Sequence, residues 1–396
     1  MKDLKLSRRI AALKPSSTTA AGKKAKALAA SGVDVVDLSI GEPDFPTPDF
    51  VGRAGSRAIG AGQTKYTDVA GDAALRDAIA QKYVREQGAV AARENVIVTA
   101  GAKQAVFNVC QALFDEGDPV ALFSPYWVSF PEMVRLTGAT PVFVPTELSA
   151  GWPPTSAALA RSAPAGTRGV ILNSPNNPTG AVVAAQELAR IVDWCAERGA
   201  WLVYDETYDR FLYDGRRHAS AAALRGRYER IVVTGAASKT WAMTGWRLGW
   251  ALGPAELVSA IASYQSHTTS NASSISQAAA LEALTDIEST ASAVAGMLAH
   301  YQERRGVMVD GLNAVAGIRC PKPEGAFYAF ADVSALARLK AIAGSAAFCD
   351  RLLSEAHVAA VPGDAFGDDA CVRFSFATDV ERIREAVRRI AAWAST

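Results

Sequence analysis

Excess charge is almost absent from this sequence. Its 41 basic and 40 acidic side chains leave a formal net charge of +1, which gives no reason to expect nucleic acid or an anionic membrane as a partner. Histidine and cysteine are scarce. The five cysteines (Cys110, Cys195, Cys320, Cys349 and Cys371) are far apart, form no CxxC pair and have no histidine near them. That spacing excludes a zinc-type ligand set, and the odd count argues against a disulfide framework and for reduced, buried thiols. No apolar run reaches the roughly 18 residues of a membrane-spanning helix. Met1–Ala12 is basic but has no apolar stretch behind it, unlike a secretory signal. The sequence therefore reads as a cytoplasmic protein without metal or membrane.

What remains is the material of a large folded chain. Hydrophobic residues make up 49% and charged residues 20% of 396 positions, and that length exceeds one ordinary core. Short apolar runs alternate with helical patterns through the middle. Strands are expected at Val96–Thr99, Pro119–Phe123, Pro141–Val144, Gly169–Leu172, Trp201–Tyr204 and Ile231–Thr234, with helices at Ala102–Phe114 and Gln186–Arg198 among them. Continuous rather than alternating apolar runs mean strands buried on both faces, and interleaved helices mean a mostly parallel sheet: an α/β fold. From about Pro254 the pattern changes. Helices are expected at Glu256–Tyr264, Ser276–Arg305 and Asp379–Trp393, with short strands at Ala326–Phe330 and Cys371–Phe376. This reads as a smaller α+β domain completed by the N-terminal segment. The expected division is residues 1–45 as arm and part of the small domain, 46–290 as the large domain and 291–396 as the small one.

In a doubly wound sheet, ligands bind beyond the carboxyl ends of the strands. Four of those ends carry polar groups. Gly101-Ala102-Lys103 opens a helix after the first strand, where free backbone N–H groups and the helix dipole favour an anion. Asn173-Ser174-Pro175-Asn176-Asn177-Pro178-Thr179-Gly180 follows the fourth. Asp205 and Tyr208 follow the fifth, and Ala236-Ala237-Ser238-Lys239 with Trp241-Ala242-Met243-Thr244-Gly245-Trp246-Arg247 follows the sixth. Together they suit one phosphate-bearing, nitrogen-containing ring. Taken singly, each has a plainer reading: a solvated lysine, an N-capping aspartate or a packed tyrosine.

Together with Gly41-Glu42-Pro43-Asp44 and Val372-Arg373-Phe374-Ser375, these motifs resemble, from end to end, the class I/II aminotransferases of fold type I, the aspartate aminotransferase family. The resemblance implies a large domain with a mostly parallel seven-stranded sheet sandwiched by helices, a smaller α+β domain, and pyridoxal 5′-phosphate as cofactor. Lys239 then matches the lysine that carries the cofactor as a Schiff base and moves protons. Its amine must be neutral to act, through burial or neighbouring cations. Asp205 matches the partner of the pyridinium nitrogen. Four apolar or aromatic residues precede it, so a buried charge in need of a cation is expected. Tyr208 and Asn177 match the pair that bonds the cofactor's phenolic oxygen. Gly101, Ala102, Lys103, Ser238 and Arg247 match phosphate-side positions. Tyr66 matches a tyrosine reaching in from a second subunit, which implies a homodimer with shared sites. Trp127 matches the aromatic residue stacked on the ring.

The same resemblance places the substrate. Arg373 matches the arginine that grips the α-carboxylate, with Gly41, Trp127 and Asn177 alongside. Lys103 and Thr18 match a clamp for a distal carboxylate in the branch that includes aspartate/prephenate enzymes. L-Aspartate and 2-oxoglutarate are therefore the expected pair, with prephenate or arogenate as further candidates. The alternatives are an aromatic or broad-specificity aminotransferase, or a β-lyase on the same cofactor. One departure stands out: Ala236 occupies a position where many relatives carry a phosphate-binding serine.

Overall fold

The structure, a computed structural model, describes residues 6–13 and 17–396, with Arg8, Arg9, Ser17 and Thr18 described in backbone only. Twelve strands run along it: β1 (Val36–Asp37), β2 (Val96–Thr99), β3 (Pro119–Ser124), β4 (Thr140–Pro145), β5 (Gly169–Asn173), β6 (Trp201–Asp205), β7 (Ile231–Ala236), β8 (Gly249–Leu252), β9 (Tyr328–Asp332), β10 (Val358–Ala359), β11 (Val361–Pro362) and β12 (Cys371–Ser375). Seven of them form one sheet in the order β2-β8-β7-β6-β5-β3-β4. All neighbours in it are parallel except β8, which runs antiparallel to both β2 and β7.

The apolar runs form strands buried on both faces because alternate residues enter different cores. Val96 and Val98, Leu202 and Tyr204, and Ile231 and Val233 pack on one side. Ile97, Val203 and Val232 pack on the other. This is the period of two expected of a pleated strand. The six anticipated strands are all present, most of them longer by a residue or two. The seventh, β8, was not identified from the sequence: it is four residues long and begins with Gly249-Trp250, two residues after Arg247.

A second, three-stranded antiparallel sheet has the order β11-β12-β9. The N-terminal segment packs against it. β1 pairs in parallel with β10, and the Ser375 N–H donates to the Leu38 carbonyl at 2.8 Å. Val36, Leu38, Tyr301, Phe327, Phe348 and Ile390 share its core.

Two expectations need correction here. The single helix read over Ser276–Arg305 is two helices, Ser274–Thr285 and Ile287–Asn313. Asp286 lies between them outside helical geometry, and its carboxylate accepts from the Ser289 N–H at 3.0 Å, an N-cap that restarts the helix. The strand expected from Ala326 starts instead at Tyr328. Ala326 has φ +56 and donates its N–H to the Phe211 carbonyl at 2.9 Å, a left-handed conformation incompatible with a strand. All five cysteines are buried and free, and burial pushes the Cys110 thiol up to about 12. Among the described residues, no helix is long and apolar enough to cross a membrane.

Candidate active site

A cavity of about 340 Å³ opens beyond the carboxyl ends of β5, β6 and β7, beside the start of the helix after β2. The sequence candidates Gly41, Ala102, Lys103, Trp127, Asn177, Asp205, Tyr208, Ser238, Lys239, Arg247 and Arg373 all line it. Residues drawn from seven separate stretches of chain therefore meet at one site. Asn173, Thr207 and Tyr328 line it as well and were missed. Tyr66 is 88% exposed and is not a wall of this chain's own cavity. Thr18 falls outside the residues with described side chains.

Lys239 sits in a one-turn helix, Ala237–Thr240, directly after β7. Its Nζ donates to the Gly41 carbonyl at 2.7 Å. Burial first, and then the nearby cations Arg247, Arg373 and Lys103, lower the amine to about 8 against the opposing Glu42 carboxylate. Both effects that favour the neutral amine, burial and neighbouring cations, are present. It is the Gly41 carbonyl that faces the lysine.

Asp205 ends β6 and is 5% exposed. Its Oδ1 accepts from the Thr207 N–H at 3.1 Å and the Thr207 hydroxyl at 2.7 Å. Burial raises it to about 6, with the Thr207 bonds pulling the other way. The cationic partner expected from the sequence is not in contact among the described residues: Thr207 holds the carboxylate, and Lys239 acts on it only through space. A carboxylate so placed favours a cation brought into the cavity. Behind it, the Asn173 amide donates to the Asp205 carbonyl at 2.9 Å, and Asn173 Oδ1 accepts from the Asn177 N–H at 2.8 Å, which locks the ends of β5 and β6 together.

The anion side is built by close approach. Gly101, at φ +88, precedes the helix Ala102–Leu113, and a Cβ on it would come within 2.5 Å of Arg247 Nη2. A Cβ on Gly249 would come within 2.4 Å of the Ala102 nitrogen. Both glycines let the guanidinium and the helix start draw together. Arg247 itself adopts φ +53 and donates to the Thr244 carbonyl at 2.9 Å. Lys103 Nζ lies 5.0 Å from the Trp127 ring centre, and burial first, then Arg247, lowers its pKa. Two cations beside a helix N-terminus suit a phosphate.

Arg373, on β12, is 2% exposed. Its Nη1 donates to Asn177 Oδ1 at 2.9 Å and its Nη2 to the Ser39 carbonyl at 2.8 Å. The guanidinium lies over the Tyr328 and Phe366 rings, 4.5 and 5.1 Å from their centres, and its Nε is buried without a partner. Tyr328 also shares a hydrogen bond of 2.8 Å with the Tyr208 hydroxyl. Nothing in Gly325-Ala326-Phe327-Tyr328 marks that tyrosine as a site residue, because its role comes from the sheet register that sets β9 beside β12.

The donor set fits a flat anionic ring that carries a basic nitrogen and an aldehyde: helix start and Arg247 for the anion, Asp205 for the nitrogen, Lys239 for the carbonyl carbon. Comparison with known proteins agrees with this geometry. An aspartate/prephenate aminotransferase of Thermus thermophilus is 43% identical over 98% of each chain, and an aspartate aminotransferase of Geobacillus stearothermophilus is 40% identical over 98% of each. The solved structure of the Thermus thermophilus aspartate aminotransferase with maleate superposes with a TM-score of 0.93 at 42% identity, covering 98% of this chain and 99% of that one. Residues 33–390 match the family described as aminotransferase class I and II, and the chain belongs to that family.

Proposed function

We propose that this protein is a pyridoxal-phosphate-dependent aminotransferase that moves the amino group of L-aspartate to 2-oxoglutarate, giving oxaloacetate and L-glutamate, and that it also accepts prephenate or arogenate. The observation that carries this reading is the buried Lys239 amine, lowered to about 8, between a cationic anion cradle and the buried Arg373. When bound, pyridoxal phosphate supplies a ring that withdraws electrons from the substrate's α-carbon.

The protein's part follows from its side chains. Arg373 takes the α-carboxylate in a fork, which orients the Cα–H bond toward Lys239. The neutral Lys239 Nζ removes that proton. Asp205, buried at the end of β6, would keep a basic ring nitrogen protonated, since a carboxylate in a dry site gains most from a cationic neighbour. Tyr208 and Asn177 would offer hydrogen bonds to the ring's phenolic oxygen. Gly101, Ala102, Lys103, Ser238 and Arg247 hold the phosphate, and Ala236 leaves one contact fewer than a serine would. Lys103 meets the distal carboxylate of aspartate.

Residues 46–290 and 291–396, the latter with 1–45, act as two domains whose closure over Arg373 excludes water. The exposed Tyr66 serves the site of a second subunit, so the working unit is a homodimer in the cytoplasm.

Borohydride reduction of the chain mixed with pyridoxal phosphate, followed by peptide mapping, should label Lys239. A label elsewhere, or none, would refute the reading. A half-reaction spectral screen across amino acids and arogenate then ranks substrates. Release of pyruvate and ammonia in place of matched oxoacid and glutamate would make the protein a lyase.

A further inference from the structure

The segment from Ser39 to Thr47 is fastened on two sides. Toward the Lys239–Arg247 loop, the Gly41 carbonyl accepts from Lys239 Nζ at 2.7 Å, and Glu42 Oε2 accepts from the Thr244 hydroxyl at 2.8 Å. Further along, the Thr47 hydroxyl donates to the Ala242 carbonyl at 2.8 Å and accepts from Trp246 Nε1 at 3.0 Å. Toward the three-stranded sheet and its helices, the Ser39 carbonyl accepts from Arg373 Nη2 at 2.8 Å. Asp44 receives both ends of the Arg304 guanidinium, at 2.7 and 2.9 Å. Phe45 stands edge-on to Tyr301, 5.5 Å between ring centres, and the Arg304 guanidinium lies 5.1 Å from the Phe45 ring centre.

Arg304 is buried, and it comes from the middle of the helix Ile287–Asn313, whose residues Met297, Tyr301 and Met308 belong to the core around β9 and β12. A bidentate, largely desolvated fork is among the stronger polar contacts available to a loop. We propose that Asp44 and Arg304 are a positioning pair that ties the Lys239–Arg247 loop to the three-stranded sheet and its helices, with residues 41–47 as the strap between them. Movement of that sheet is then felt at Gly41, three residues from Asp44, and at the lysine loop through Glu42 and Thr47. The inference deepens the aminotransferase reading and rests on it for its effect on turnover, while the mechanical coupling stands on the contacts alone.

Hydrogen exchange on the protein loaded with pyridoxal phosphate tests this. Asp44→Asn, which keeps the shape and removes the charge, is expected to speed exchange about tenfold in peptides covering 38–48 and, with them, in peptides covering 237–247. Arg304→Lys, which keeps the charge and loses the fork, should give the same pattern at smaller size. Faster exchange confined to 38–48, with 237–247 unchanged, would overturn the proposal.

A double-mutant cycle in kcat/KM reads the same coupling in turnover. Asp44→Asn and Thr244→Val cut one strap at its two sides, so the combined loss should fall short of the product of the single losses by about threefold or more. Losses that multiply would count against the strap. Borohydride labelling of the same samples separates the two failures. A labelled Lys239 with uncoupled exchange sinks the strap alone, and an unlabelled Lys239 sinks the functional reading whatever the exchange shows.

Discussion

Asparagine at position 205 should make the cofactor-free protein more stable and the enzyme far less active. The carboxyl of Asp205 is raised from 3.8 to about 6 by burial. The folded state therefore holds a proton that the unfolded chain has released, and stability falls as pH rises from about 3.8 to about 6. Above that window the whole penalty is present. About two pKa units correspond to roughly 3 kcal/mol. Asparagine removes the charge and keeps an oxygen for the bonds from Thr207 at 3.1 and 2.7 Å. Urea unfolding of the cofactor-free Asp205→Asn variant should thus show a gain of roughly 3 kcal/mol at pH 7.5, shrinking to about half of that near pH 5. Turnover should fall by a factor on the order of a hundred or more, since charge stabilisation at the reacting centre is lost. Added pyridoxal phosphate should stabilise the native protein more than the variant. A gain that is the same at both pH values, or a variant that retains full turnover, would refute the argument.

Lys239→Met should abolish borohydride labelling and turnover. It should also stabilise the cofactor-free protein by roughly 3 kcal/mol at pH 7, because an amine lowered from 10.5 to about 8 burdens the fold below pH 8. That gain, read by urea unfolding, fades as pH rises from about 8 toward 10.5. Lys103→Ala should lower the aspartate-to-phenylalanine ratio of kcat/KM by about tenfold or more, and an unchanged ratio would show that the lysine does not meet a distal carboxylate. Gly101→Ala, at φ +88 and with its new Cβ 2.5 Å from Arg247 Nη2, should weaken cofactor affinity by about tenfold or more. Spectral titration of the purified variant measures this.

Where one strand of sequence met one local rule, the structure could be read in advance. Val96–Thr99, Trp201–Asp205 and Ile231–Ala236 are apolar, β-branched and bounded by polar residues, and the chemistry sits at their ends. Lys239, Asp205 and Arg247 were legible for the same reason: each lies next to a strand end or in a dense motif. What could not be read depends on register between distant segments. Tyr328 meets Tyr208 and Arg373 only because β9 pairs with β12. Thr207 bonds Asp205 through a local turn whose geometry no apolar pattern encodes. Asp286 interrupts a run that is helical by composition because a capping carboxylate outcompetes continuation. Ser39 contributes its backbone, which carries no side-chain signature at all.

The reversed strand β8 has one further consequence. Because it returns down the sheet next to β7, the chain between Ala236 and Gly249 leaves the sheet and re-enters it at the same end of the strands, carrying both Lys239 and Arg247 on the way. Lys239 and Arg247 thus belong to a single short peninsula moored at both ends. Lengthening or trimming it would shift both groups together, so the spacing of the two groups is under far tighter constraint than the length of the loop joining β4 to β5 on the sheet's far side.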